Sequence, residues 1–149
     1  MTGSCNPDRR TPPLHAPDRY DAVDYTPYPQ NVPRARRRVA RLAVEWGHPG
    51  AAGDAALLAS ELCTNALLHG CLRDRLFRVE TSLTGSVLRV AVTDPKGERL
   101  PEARAAADAE QFGRGLFIVG VLARRWAVER LTVGKTVWAE LELPGGVGA

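Results

Sequence analysis

Glu61 and Asn65 stand where apolar side chains belong. They fall in the stretch Ala55 to Gly70, a strong helix signal in which Asp54 can cap the start and Gly70 can end it in a left-handed conformation. At about 100° per residue, Leu57, Leu68, Glu61, Asn65, Leu58, His69 and Leu62 follow one another in angle along one face, which predicts that the polar pair lies inside the apolar stripe. An unpaired amide there would cost roughly 1–3 kcal/mol and an unpaired carboxylate more, so protein, water, metal or ligand must satisfy the pair. Side chains at i and i+4 lie one turn apart and can hold a single object between them. A structural pair bonded to a neighbouring loop fits the same spacing.

Two further features point to a ligand. Leu88, Val90 and Val92 alternate along a strand, and the same parity directs Asp94 inward at its end. Gly113-Arg114-Gly115 precedes a helical pattern, and the free amides and positive dipole end of a helix start suit a phosphate. A carboxylate that can accept from an amine, an amide oxygen suited to Mg²⁺ and an anion site together suggest a nucleotide. Neither G-x-x-x-x-G-K-[ST] nor a G-x-G-x-x-G after a strand occurs, so the P-loop and dinucleotide-binding routes are closed.

The elements that must position these residues are legible in order. Residues 1–20 hold four of the eleven prolines without apolar periodicity and read as a disordered, proline-rich arm. Tyr20 to Tyr28 can form a short edge strand, confined to a sheet margin by Pro27 and Pro29. Pro33 to Trp46 reads as a helix closed by Gly47, with Val39, Leu42, Ala43 and Trp46 on one side and Arg34, Arg36, Arg37, Arg38 and Arg41 on the other. No aromatic platform or DNA-reading motif accompanies those arginines, so a solvated face, or one turned to an acidic protein, is favoured over nucleic-acid binding. After the central helix come a hairpin turning at Gly85-Ser86, a long interrupted connection from Pro95 to Phe112, and a helix from Leu116 through Leu122, Ala123 and Trp126. A second hairpin follows, Trp126 to Thr132 and Thr136 to Leu143, turning at Gly134. This order predicts an α+β, two-layer sandwich: three helices on one face of a mostly antiparallel mixed sheet. The glycine-rich residues 145–149 read as a flexible tail.

Composition bounds the rest. The chain has 149 residues, 44% hydrophobic and 25% charged, enough for one domain with a real core. No apolar run approaches the roughly 20 residues of a membrane span, and the first residues lack the apolar core of a secretion signal, so the expected location is cytoplasmic. Cys5, Cys63 and Cys71 are odd in number without zinc-ligand spacing, as expected of free thiols. The net charge of +3 is carried almost wholly by arginine; Lys96 and Lys135 are the two lysines, and this bias names no partner.

Four stretches resemble the motifs of the GHKL ATPases, the superfamily that includes the ATP domains of sensor histidine kinases and gyrase, and within it the small anti-sigma-factor serine/threonine kinases. Ser60-Glu61-Leu62-Cys63-Thr64-Asn65-Ala66-Leu67-Leu68-His69-Gly70 resembles the N box, Val92-Thr93-Asp94-Pro95-Lys96-Gly97 the first glycine box, and Glu110-Gln111-Phe112-Gly113-Arg114-Gly115-Leu116 the second. Gly134-Lys135-Thr136-Val137-Trp138 resembles the last strand motif. The likeness covers roughly residues 20–144 and implies a Bergerat-type ATP-binding fold over 21–144. It implies that Asn65 coordinates Mg²⁺ bridging the ATP phosphates, that Asp94 accepts from the adenine amino group, and that Gly97 lets the backbone approach the base. Residues 98–112 would form the ATP lid, with Gly113, Arg114, Gly115 and Leu116 against the phosphates, Thr136 in the adenine's polar shell and Glu61 as general base toward a serine hydroxyl. The implied function is a serine/threonine protein kinase acting on a small antagonist (anti-anti-sigma) protein, with a sigma factor competing for the same surface. The alternative is a nucleotide-gated module that sequesters such a regulator without phosphorylating it. The likeness also allows a homodimer through the first helix and sheet edge. Two departures stand out: Pro95-Lys96 intervenes before Gly97, and Thr136 has the opposite strand parity to Val137 and Leu141.

Overall fold

The computed structural model describes residues 16–69, 75–94, 116–132 and 134–144. The arm up to residue 15, the tail 145–149, and the lid and second glycine box up to Gly115 lie outside the described residues. The described chain runs β1 (Arg19–Tyr25), α1 (Asn31–Glu45), a 3-10 turn (Pro49–Ala51), α2 (Ala52–His69), β2 (Phe77–Thr84), β3 (Val87–Asp94), a helical segment α3 (116–122), β4 (Arg125–Arg130) and β5 (Lys135–Glu142). The strands form one sheet in the order β1-β2-β3-β5-β4, and every pairing among them is antiparallel. This is the expected two-layer α+β arrangement.

The layers follow from parity. Phe77, Val79, Thr81 and Leu83 of β2, Leu88, Val90 and Val92 of β3, and Val137, Ala139 and Leu141 of β5 are all buried and share one face of the sheet. With Val39 of α1, Leu58 and Leu62 of α2 and Val119 of α3, most of them make a single core. Gly85, at φ +58 in the first central position of the β2–β3 turn, supplies the left-handed residue that a two-residue hairpin needs.

The sheet face away from the helices is polar. Trp138 is nonetheless only 5% exposed, because the guanidinium of Arg89 lies 4.2 Å and that of Arg125 5.5 Å from its ring centre. Glu140 accepts from Arg125 Nε at 3.1 Å and lies 3.5 Å from Arg89. Burial pushes the Arg89 guanidinium below its usual range, with Glu140 acting against that shift.

Four sequence expectations are corrected. β1 runs Arg19–Tyr25, so it takes Arg19 from the expected arm and stops before Pro27 rather than reaching Tyr28. α1 starts at Asn31, two residues before Pro33, which occupies its first turn. Its end is a glycine-closed motif, with Gly47 N donating to Val44 O and His48 N to Ala43 O. α2 begins at Ala52 out of the 3-10 turn, so Asp54 lies in its first turn, where the helix dipole favours an acid, rather than capping it. Finally α3 stops at residue 122. Trp126 fits both the helical spacing and strand parity, and the sheet wins: Arg124 N donates to Glu140 O, and Trp126 pairs with Ala139 in β4.

Candidate functional site

The helix hairpin carries Asn65 to one end of the sheet. Tyr25 closes β1 beside Phe77, their rings stacked 5.6 Å apart, and Asn31 Nδ2 donates to Thr26 O, so α1 starts at that end and runs away from it. The short turn through Ala51 sends α2 back toward the end of the sheet at which β2 starts with Phe77. In the β2–β3 register Arg78 faces Thr93, so the same end of the sheet holds Asp94. Asn65 and Asp94 therefore occupy one end of the space between the layers.

Asn65 is 4% exposed, and its Nδ2 is buried without a hydrogen-bond partner. A donor left unsatisfied at such depth costs about 1–3 kcal/mol and calls for an acceptor. Glu61, one turn earlier, is half-buried rather than inside the stripe. The buried face of α2 turns toward Ala55, Ala59 and Ala66, leaving Leu57 and Leu68 exposed on the other flank, with Glu61 between them and Asn65. This corrects the stripe read from leucines alone, which left the alanines out of the buried face. The result is an acid at the rim and an amide just inside it.

Asp94 is 2% exposed, on the parity of Leu88, Val90 and Val92, as the alternation predicts. Its register partner across β3 and β5 is Lys135, whose Nζ lies 3.3 Å from Asp94 Oδ2. Lys135 was not legible as a site residue from the motifs. The signal that could have found it is parity, since it shares the inward side of β5 with Val137 and Ala139.

Thr136 is placed elsewhere. It faces Thr93, with their hydroxyls 2.7 Å apart, on the sheet face opposite Asp94, so no bulge turns it toward the carboxylate. Leu116 is a buried core residue at the start of the described part of α3. Gly97, Gly113, Arg114, Gly115 and the side chain of His69 lie outside the described residues. Cys63 is a buried cysteine of the core that forms no disulfide, and Cys5 and Cys71 lie outside the described residues.

Residues 25–141 match the family model of the histidine kinase-like ATPase domain. The chain belongs to this family. Its fold is that of a GHKL ATPase domain, a domain type associated with nucleotide binding. A search of curated proteins finds no match to the chain. Among the described residues no helix is long and apolar enough to cross a membrane.

Proposed function

We propose that this domain is an ATP- and Mg²⁺-dependent serine/threonine protein kinase of the anti-sigma-factor type, working in the cytoplasm on a small antagonist protein, with a sigma factor competing for its surface. The observation that carries the reading is the Asn65–Glu61 turn: a buried amide with an unmatched donor, one helical turn from an acid at the rim, at the end of the sheet that holds Asp94. The donor set fits the ligand. A phosphate oxygen would satisfy Asn65 Nδ2, the Oδ1 of the same amide is an oxygen suited to Mg²⁺, and a buried carboxylate at Asp94 suits an exocyclic amine. Bound Mg-ATP would supply the phosphoryl group and the charge neutralisation that its transfer needs.

The chain's own residues then divide the work. Asn65 orients the phosphate end, Asp94 anchors the base end, and Glu61 accepts the proton of the incoming serine hydroxyl. Glu61 is the residue a protein substrate can reach, because its flank of α2 is the open one; a base buried like Asn65 could not meet a hydroxyl carried by another protein.

The test is transfer of labelled γ-phosphate from ATP to a panel of small, serine-bearing antagonist proteins. Glu61→Ala is expected to lower transfer by about 10²–10⁴-fold, the usual contribution of a positioned base, with ATP affinity retained. An unchanged rate would remove Glu61 from the mechanism. ATP binding without transfer to any antagonist would favour the sequestering module.

A further inference from the structure

β4 stands at the opposite edge of the sheet from β1 and pairs with β5 alone among the described strands. Leu131 N donates to Gly134 O, its register partner just past the end of β4. By the alternation of an antiparallel ladder, Leu131, Glu129 and Ala127 therefore turn their backbone groups to β5, and Trp126 and Val128 turn theirs outward. An outward row of donors and acceptors is a template for another strand unless something blunts it. β1 is bounded by Pro17 and Pro27, whereas no proline stands in or beside β4. The β4 edge is also partly apolar. Trp126, on the helix side, is 38% exposed, Gly120 of α3 lies against its indole Nε1, and α3 exposes Phe117 and Val121.

The side chains of β4 select the strand that fits. When two copies of one strand pair antiparallel, opposite residues must share a face of the sheet, which leaves few registers. A pairing symmetric about Ala127 sets Arg125 opposite Glu129 of the partner subunit and Trp126 opposite Val128 of the partner subunit, each contact occurring twice. Opposite charges then meet on the outer face and apolar side chains on the helix side, throughout residues 125–129. Moving the axis to Trp126 or to Val128 parts Arg125 from Glu129. Arg130 meets Arg124 of the partner subunit only beyond the matched stretch, and Arg124 is held within its own chain by Glu142. β1 offers no counterpart: centred on Asp21, Ala22 or Val23, no charge in it meets an opposite one, and Asp21 and Asp24 are engaged by Arg38 and Arg78. The match in β4 is one of sign rather than of unused contacts, since Arg125 keeps Glu140 at 3.1 Å and Glu129 also interacts with Arg89. We propose that β4 is a self-recognition edge, through which two copies of this chain pair antiparallel about Ala127 and join their sheets into one. This surface is distinct from the first helix and the β1 edge, and it does not depend on the nucleotide reading.

Sedimentation velocity of the full-length protein over a concentration series tests the pairing, with Arg125→Glu and Glu129→Arg measured singly and mixed. The wild type is expected to dimerise. Each single variant sets like charges opposite one another at both symmetric contacts and is expected to weaken the dimer at least about tenfold. An equimolar mixture of the two variants puts opposite charges back at both contacts, so it should recover the wild-type affinity. Should a variant fail to fold, cross-linking decides in its place. Ala127→Cys is expected to form an interchain disulfide on oxidation beyond any seen in the wild type, because cross-strand partners lie about 4.5–5.5 Å apart, and Ala22→Cys in β1 is not. A monomer at every concentration would overturn the inference. So would a dimer indifferent to both charge substitutions, a mixture that fails to recover affinity, or cross-linking through Ala22→Cys in place of Ala127→Cys.

Discussion

Asn65 and Thr81 are both buried with an unmatched polar atom, and the contrast between them separates function from tolerance. Asn65 lies at the end of the core where Glu61 and Asp94 stand, so a ligand can complete it. Thr81 lies between Val79 and Leu83 on the core face of β2, paired across the sheet with Val90, and its Oγ1 has no hydrogen-bond partner. Thr81→Val keeps the shape and removes an unsatisfied hydroxyl, so it is expected to stabilise the fold by about 1 kcal/mol, read as a higher urea midpoint with an unchanged slope. A lower midpoint would mean that the hydroxyl is satisfied in solution. Asp94 was legible at this scale because strand parity has a period of two and needs no tertiary information. The same parity puts Lys135 on the inward side of β5, but that it stands opposite Asp94 is set by cross-strand register, which local pattern does not show.

At the scale of elements, the site depends on how α1 and α2 are held to the sheet. Arg38 joins α1 to the edge strand through a two-pronged contact with Asp21, Nε to Oδ2 at 2.8 Å and Nη2 to Oδ1 at 2.6 Å. The Asp21 contact holds the Arg38 guanidinium above its usual range, with burial acting against it. Thus one of the five arginines that looked like a single cationic face is a structural tie, and Arg41 leans toward Glu45 at 3.7 Å. Arg38→Lys, which cannot reproduce the fork, is expected to cost about 1 kcal/mol and lower the melting temperature by a few degrees. No change by thermal denaturation would show that the pair is solvent-screened and holds nothing. The helices themselves were readable from periodicity and from closing glycines such as Gly47. Their boundaries shifted where two signals overlapped, as at Trp126, whose position suits a helix stripe and a strand face equally until Arg124 is tied to Glu140. The insertion of β5 between β3 and β4 is a tertiary choice that hairpin spacing does not encode.

Across the whole molecule, the outer face of the sheet is polar and a single core lies beneath the other face, and one end of the interlayer space holds Asn65, whose buried Nδ2 lacks a partner, with Asp94 at the same end of the sheet. The chain belongs to the histidine kinase-like ATPase family. Motif order carried the family from sequence, and strand parity already set Thr136 apart from Val137 and Leu141, whereas the fine placement of Glu61 at the rim required the packed structure. The central claim is that nucleotide binding is anchored by Asn65 through a cation, and titration calorimetry of ATP into the protein tests it directly, with Mg²⁺, with EDTA, and with Asn65→Ala. Binding that is strong with Mg²⁺ and at least about tenfold weaker both with EDTA and in the variant is the expected result, the loss of one charge-assisted contact being worth at least about 1.4 kcal/mol. ATP binding that is indifferent to Mg²⁺ and to Asn65 would contradict the account and place the nucleotide, if it binds, somewhere other than the end of the core described above.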